Sequence, residues 1–105
     1  MIQTDFFLKH GSLLGFQVSG HSDLAEAGTD ILCAAVSSAA YMAVNTVTEV
    51  LHIEAEVHAE DGFMFLKIPE SSVASCAAIL KGFRLHMAAL QEQYPKNIHL
   101  IDTEV

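Results

Sequence analysis

Residues 31–51 read ILCAAVSSAAYMAVNTVTEVL, a run broken by neither proline nor glycine. At helical spacing it carries two neighbouring apolar stripes. One is Leu32, Val36, Ala39, Ala43, Val47 and Val50; the other is Cys33, Ala40, Val44 and Leu51. A helix this apolar needs covering on more than one side. A sheet covers one stripe, and a second helix or a second copy of the chain covers the other. Asp30 stands in front as a good N-cap, with Thr29 its rival, so the helix is expected from Ile31 to about Leu51.

The elements on either side follow a different period. Ile2, Thr4 and Phe6 alternate with Gln3, Asp5 and Phe7, and Leu14, Phe16 and Val18 with Gly15, Gln17 and Ser19. Both read as strands, joined into a hairpin by Lys9-His10-Gly11-Ser12. Residues 20–28 read as a loop. Beyond the helix, Ile53, Ala55 and Val57 alternate with His52, Glu54, Glu56 and His58. Asp61-Gly62 turns that strand back through Met64, Leu66 and Ile68, and Pro69 ends it. Ser71 or Ser72 then caps a second helix, with Val73, Cys76, Ala77, Leu80, Phe83, Met87 and Leu90 on one face and Pro95 beyond its end. Ile98, Leu100 and Asp102 form a last strand. The order is ββαββαβ, a two-layer α+β fold with a largely antiparallel sheet and two long helices.

At 105 residues, 51% of them apolar, the chain is sized for a single domain, taken as residues 1–105. Its formal net charge of −8 comes from 13 acidic and 5 basic side chains. Direct nucleic-acid binding needs a basic surface to displace counterions from phosphates, and no basic run is present. The same acidity attracts a strongly basic protein partner. The N-terminal MIQTDFFLKH lacks the pattern of a secretory signal, and the longest nearly apolar run, Ile31 to Val44, reads as too short to span a bilayer. No membrane role is expected. Two cysteines without metal-type spacing fit a reducing, cytoplasmic compartment, and no metal or cofactor motif is present.

The chemistry concentrates at residues 20–38, GHSDLAEAGTDILCAAVSS. With Asp30 as N-cap, Cys33 falls in the first helical turn, where free N–H groups and the helix dipole stabilise a thiolate. Those N–H groups also suit an oxyanion. A histidine within reach acts as general base and then acid, and His21 is the candidate. Gly20 and Gly28 let a substrate strand approach the backbone. Asp30 either caps the helix or orients His21. Ser37, one turn beyond Cys33, either bonds near the thiol or packs against the Cys33 carbonyl. Taken without further context, Cys33 reads first as a small core residue and His21 as a turn residue. Cys76 reads as core, and Glu54, Glu56, His52 and His58 as one solvated strand face.

The block Gly20-His21-Ser22, a short loop, and then Gly28-x-Asp30-Ile31-x-Cys33-Ala34-Ala35-Val36-Ser37 resembles the signature of the Prp family of ribosomal-processing cysteine proteases. Length, element order and acidity suit that family over the whole chain. The resemblance implies a protease without cofactor that removes a short apolar N-terminal extension, bearing leucines and phenylalanines, from large-subunit ribosomal protein twenty-seven. It implies His21 and Cys33 as the catalytic pair, with Asp30 and Ser37 at further motif positions. It also implies a homodimer and a substrate loop that moves over the site, here Ser22 to Ala27 with Leu24 lining a groove. The glycine and aromatic residues frequent in that loop are absent from this one. Two rivals use the same residues differently: a non-enzymatic ribosome-associated binding module with an acidic surface, and a thiol-based redox or acyl-transfer enzyme.

Overall fold

The structure is a computed structural model that describes the backbone of residues 1–20 and 27–105 and the side chains of residues 1–20 and 31–105. Strands β1 (Ile2–Lys9) and β2 (Ser12–Ser19) form the first hairpin, and α1 (Ala27–Asn45) follows, continued by a helical turn at Thr46–Val50. Strands β3 (Glu56–Glu60) and β4 (Phe63–Lys67) form a second hairpin, succeeded by α2 (Val73–Gln93) and β5 (Ile98–Glu104). The five strands make one sheet in the order β3-β4-β2-β1-β5. All its pairs are antiparallel except β1 with β5. The ββαββαβ order and the α+β class read from the sequence both hold.

Alternation along the strands decides which face is covered. Ile2, Thr4 and Phe6 of β1, Phe16 and Val18 of β2, and Met64 and Leu66 of β4 are all buried on the helix side. Phe83 of α2 anchors that layer, with its ring 4.3 Å from Phe16 and 5.7 Å from Phe6. Leu32, Val36, Ala40, Ala43 and Val44 from α1, and Val47 from the turn that continues it, join the core, so most of both apolar stripes is buried. Their C-terminal members, Val50 and Leu51, are exposed. Two helical stretches, Ile31–Val50 and Glu70–Gln93, are by length and composition apolar enough to cross a bilayer. The expectation that the first was too short is therefore corrected. Part of that apolar content packs in the core, among it Leu32, Val36, Val44, Leu80, Phe83 and Met87, while Ile31, Tyr41, Met42, Val50 and Leu85 are exposed.

Three boundaries differ from the sequence reading. First, α1 begins at Ala27, so Gly28 is helical rather than part of a loop, and Asp30 lies inside the helix rather than at its N-cap. Second, the strand expected from His52 begins only at Glu56. Thr46 and Thr48 bond back through their hydroxyls to the carbonyls of Met42 and Val44, and Leu51 N–H reaches the Thr46 carbonyl five residues back. That widened turn, followed by His52 at φ 55°, uses up the residues that alternation assigned to the strand. Of the four residues placed on one strand face, only Glu56 and His58 share it, and they pair at 3.0 Å. Third, Ser72 occupies the N-cap of α2 but makes no side-chain cap bond, because a short 3₁₀ turn at Glu70–Ser72 leads into the helix.

Candidate active site

A cleft of about 360 Å³ opens where four elements meet. Its floor is apolar: Ile2 from the start of β1, Val18 from β2, Ala40 from α1 and Met64 from β4. One wall is the face of α1 that carries Cys33, Ser37 and Tyr41 at successive helical turns. The opposite wall is the β3–β4 turn, with Glu60 and Asp61 at the rim.

Cys33 is half-buried in that wall, whereas Cys76 is fully buried in α2. Burial pushes the Cys76 thiol above its ordinary range, which suits a core residue and not a nucleophile. The structure therefore separates the cysteines as the sequence reading did, but for a different reason at Cys33. Because α1 starts at Ala27, Cys33 lies in its second turn. At 1.5 Å per residue it stands about 9 Å along the axis from that start, and the dipole effect fades within the first turn. Activation of Cys33 by the helix terminus, and an oxyanion site made of first-turn N–H groups beside it, do not fit this geometry. A thiol in that position needs a neighbouring base.

Gly20 lines the cleft and supplies its most constrained backbone. It has φ +95°, and its N–H donates to the Gly62 carbonyl at 3.1 Å. A Cβ at this position would overlap the Met1 carbonyl oxygen. Only glycine fits between the strand end and the N-terminal residue. His21, the next residue, lies outside the described residues, as do Ser22 and Leu24. The other five histidines are described. His10 sits in the β1–β2 turn, His52 after the α1 extension, His58 on β3, His86 on α2 and His99 on β5, and none of them lines this cleft. Ser37 does line it, one turn on from Cys33. Among the described residues no group of three metal-donor side chains converges.

Sequence reasoning missed the rim formed by Glu60 to Met64, the Tyr41 wall and the Ile2 floor. Asp61-Gly62 was legible as a turn. Its place beside Cys33 follows from β4 pairing with β2, a long-range choice that no local pattern records.

The model of the family described as "Cysteine protease Prp" matches residues 1–99. The ribosomal processing cysteine protease Prp of Bacillus subtilis (strain 168) is 25% identical over 107 residues, spanning 95% of this chain and 96% of that protein. The protein of the same name from Staphylococcus aureus (strain NCTC 8325) is 24% identical over 103 residues, spanning 95% and 97%. Among solved structures, that of SMU.848 from Streptococcus mutans matches with a TM-score of 0.87 at 26% identity, covering 100% of this chain and 99% of that one. An essential ribosomal processing protease Prp from S. aureus, in complex with a substrate peptide, matches with a TM-score of 0.87. At 23% identity over 98% of this chain and 100% of that one, its likeness is one of fold.

Proposed function

Because the chain belongs to the Prp family of cysteine proteases, it is a cysteine peptidase, and we propose that Cys33 is its nucleophile and His21 its general base. The observation that carries this reading is the cleft itself. Cys33 opens onto it, Cys76 does not, and Gly20, covalently joined to His21, forms part of its lining. With the other five histidines elsewhere, His21 is the residue left to serve the thiol.

In this mechanism His21 takes the Cys33 proton and the thiolate attacks the scissile carbonyl. The imidazolium then protonates the leaving amine, and water hydrolyses the thioester with His21 again as base. The apolar floor of Ile2, Val18, Ala40 and Met64 suits a leucine- or phenylalanine-bearing segment before the scissile bond. Ser37, on the same wall, is a supporting residue at the cleft. Asp30, in the first turn of α1, is a further candidate to support the pair. Gly28, and Ser22 and Leu24 of the loop, contact substrate.

The substrate we propose is the precursor of large-subunit ribosomal protein twenty-seven, cut in the cytoplasm during ribosome assembly by a homodimer of this single-domain chain. Relatives at 24–25% identity carry the name of ribosomal processing proteases, and a net charge of −8 favours a basic ribosomal protein as partner. Incubation with the precursor, followed by mass determination of the product, tests the reading. A new N-terminus after the apolar segment, lost in Cys33→Ala, is the expected result. An intact precursor, or cleavage that survives Cys33→Ala, overturns it.

A further inference from the structure

The strand at one edge of the sheet has a backbone that the cleft leaves unused. β3 bonds to β4 on one side, and no described strand pairs with its other side. A two-residue turn, Asp61-Gly62, joins the two strands, so Glu60 and Phe63 exchange both backbone hydrogen bonds. By alternation, His58 with Phe65 and Glu56 with Lys67 do the same. The N–H and C=O groups of Val57 and Ala59 therefore point outward along the open edge.

That edge has one sign of charge. From Glu49 to Asp61 the sequence carries Glu49, Glu54, Glu56, Glu60 and Asp61, and no lysine or arginine. Glu56 and His58 lie on the sheet face away from the helices, with side chains 57% and 60% exposed. Lys67 of β4 stands opposite Glu56 in the register. The strand also ends at the cleft, because Glu60 and Asp61 form part of the rim facing Cys33. From Glu60 back to Glu56 the edge extends roughly 13 Å at the usual rise per residue.

Resting on the peptidase reading above, we propose that this edge is a second substrate-binding surface. An extended, lysine- or arginine-bearing segment of the substrate leaves the cleft and adds to β3 as an antiparallel strand. Its backbone bonds Val57 and Ala59, and its basic side chains lie beside Glu56 and Glu60. A second copy of the chain meets like charge on this edge in the register centred on His58. Antiparallel pairing of two β3 strands about His58 sets Glu56 of each copy directly opposite Glu60 of the other, a like-charge arrangement that destabilises a sheet.

Amide hydrogen exchange on the Cys33→Ala protein tests this with two peptides. Both carry the apolar cleavage segment; one continues with lysines at alternate positions, the other with glutamines there. The lysine peptide is expected to slow exchange at Val57 and Ala59, and the glutamine peptide to slow it much less. In the unmodified enzyme the lysine peptide has the lower KM, by roughly 3- to 10-fold over a few cross-strand charge pairs. Glu56→Lys reduces or reverses that preference. Peptide cleavage without protection of Val57 and Ala59 overturns this inference and leaves the protease reading standing. Protection with no cleavage by the unmodified enzyme sinks the protease reading alone. Protection of the edge that grows with protein concentration and needs no peptide assigns it to a second copy, and also overturns the inference.

Discussion

Gly20→Ala separates the cleft geometry from stability. Gly20 holds φ +95°, a region that costs an L-residue about 1–2 kcal/mol. A Cβ there also runs into the Met1 carbonyl oxygen, so the start of β1 or the end of β2 must shift, at about 1–3 kcal/mol. Together these give about 3 kcal/mol. For a chain of this size that lowers Tm by about 12–15 °C. The shift also moves the point from which the chain enters His21, and misplacement of a catalytic group by about 1 Å costs on the order of 100-fold in rate. The control is Gly11→Ala in the β1–β2 turn. Gly11 has φ +79° with nothing near its would-be Cβ, so it loses about 1 kcal/mol by backbone conformation alone. Calorimetry gives Tm, and peptide cleavage at 25 °C gives kcat/KM. Gly11→Ala should keep kcat/KM within about twofold of the unmodified enzyme. If Gly20→Ala loses the expected stability but keeps kcat/KM within about threefold, the claim that Gly20 sets the position of the catalytic histidine is wrong.

Iodoacetamide at neutral pH should label Cys33 in the folded protein and leave Cys76 untouched until denaturant is added, as read by peptide mass; equal labelling contradicts the division of roles. Replacing Phe83 by alanine removes the ring shared by Phe6 and Phe16, and should cost about 3–5 kcal/mol in urea unfolding. The Cys76 thiol gives a pH dependence in the Cys33→Ala background. Its pKa is raised in the folded chain, whereas the unfolded chain releases that proton near the ordinary value of about 8.5. Stability from this group is thus complete below about pH 8.5, then falls as pH rises towards the folded pKa, by at most about 1.4 kcal/mol per pH unit. Urea unfolding at pH 8, 9 and 10 should show that slope, and its survival in Cys76→Ala would assign it elsewhere. Asp102→Asn removes the charge and one of the two oxygens that accept from Arg84, at 2.9 and 2.5 Å, but both partners are more than a third exposed. The loss should stay below about 1 kcal/mol and shrink in salt.

The sequence carried the elements because their signals are local. Period-two alternation marked β1, β2 and β4, and an unbroken apolar run marked α1. It failed where two local preferences compete. Alternation from His52 onward looked like a strand, but back-bonding from Thr46 and Thr48 extends the helix, and the left-handed His52 then breaks the pattern. Asp30 has the chemistry of an N-cap, and so looked like a start. The helix nevertheless begins at Ala27, and this takes Cys33 out of its first turn. Cys33 and Gly20 were legible as candidates from their motif, and both line the cleft. The wall facing them was not, because it depends on which hairpin pairs with which.

The parallel pairing of β1 with β5 bears on when the cleft comes into being. Ile2, on its floor, is bonded through its N–H to the Asn97 carbonyl, and its register partner is Ile98. Joining those residues closes nearly the full length of the chain, at an entropic cost that must be met before the contact rewards it. The hairpins and helices need only neighbouring residues, whereas the side of the sheet that holds Ile2 needs the last strand of the chain. A chain still being synthesised lacks β5, so Cys33, the proposed nucleophile, precedes the strand that fixes the floor beneath it. Proteolytic competence then arrives with the completed fold rather than with the catalytic residues themselves.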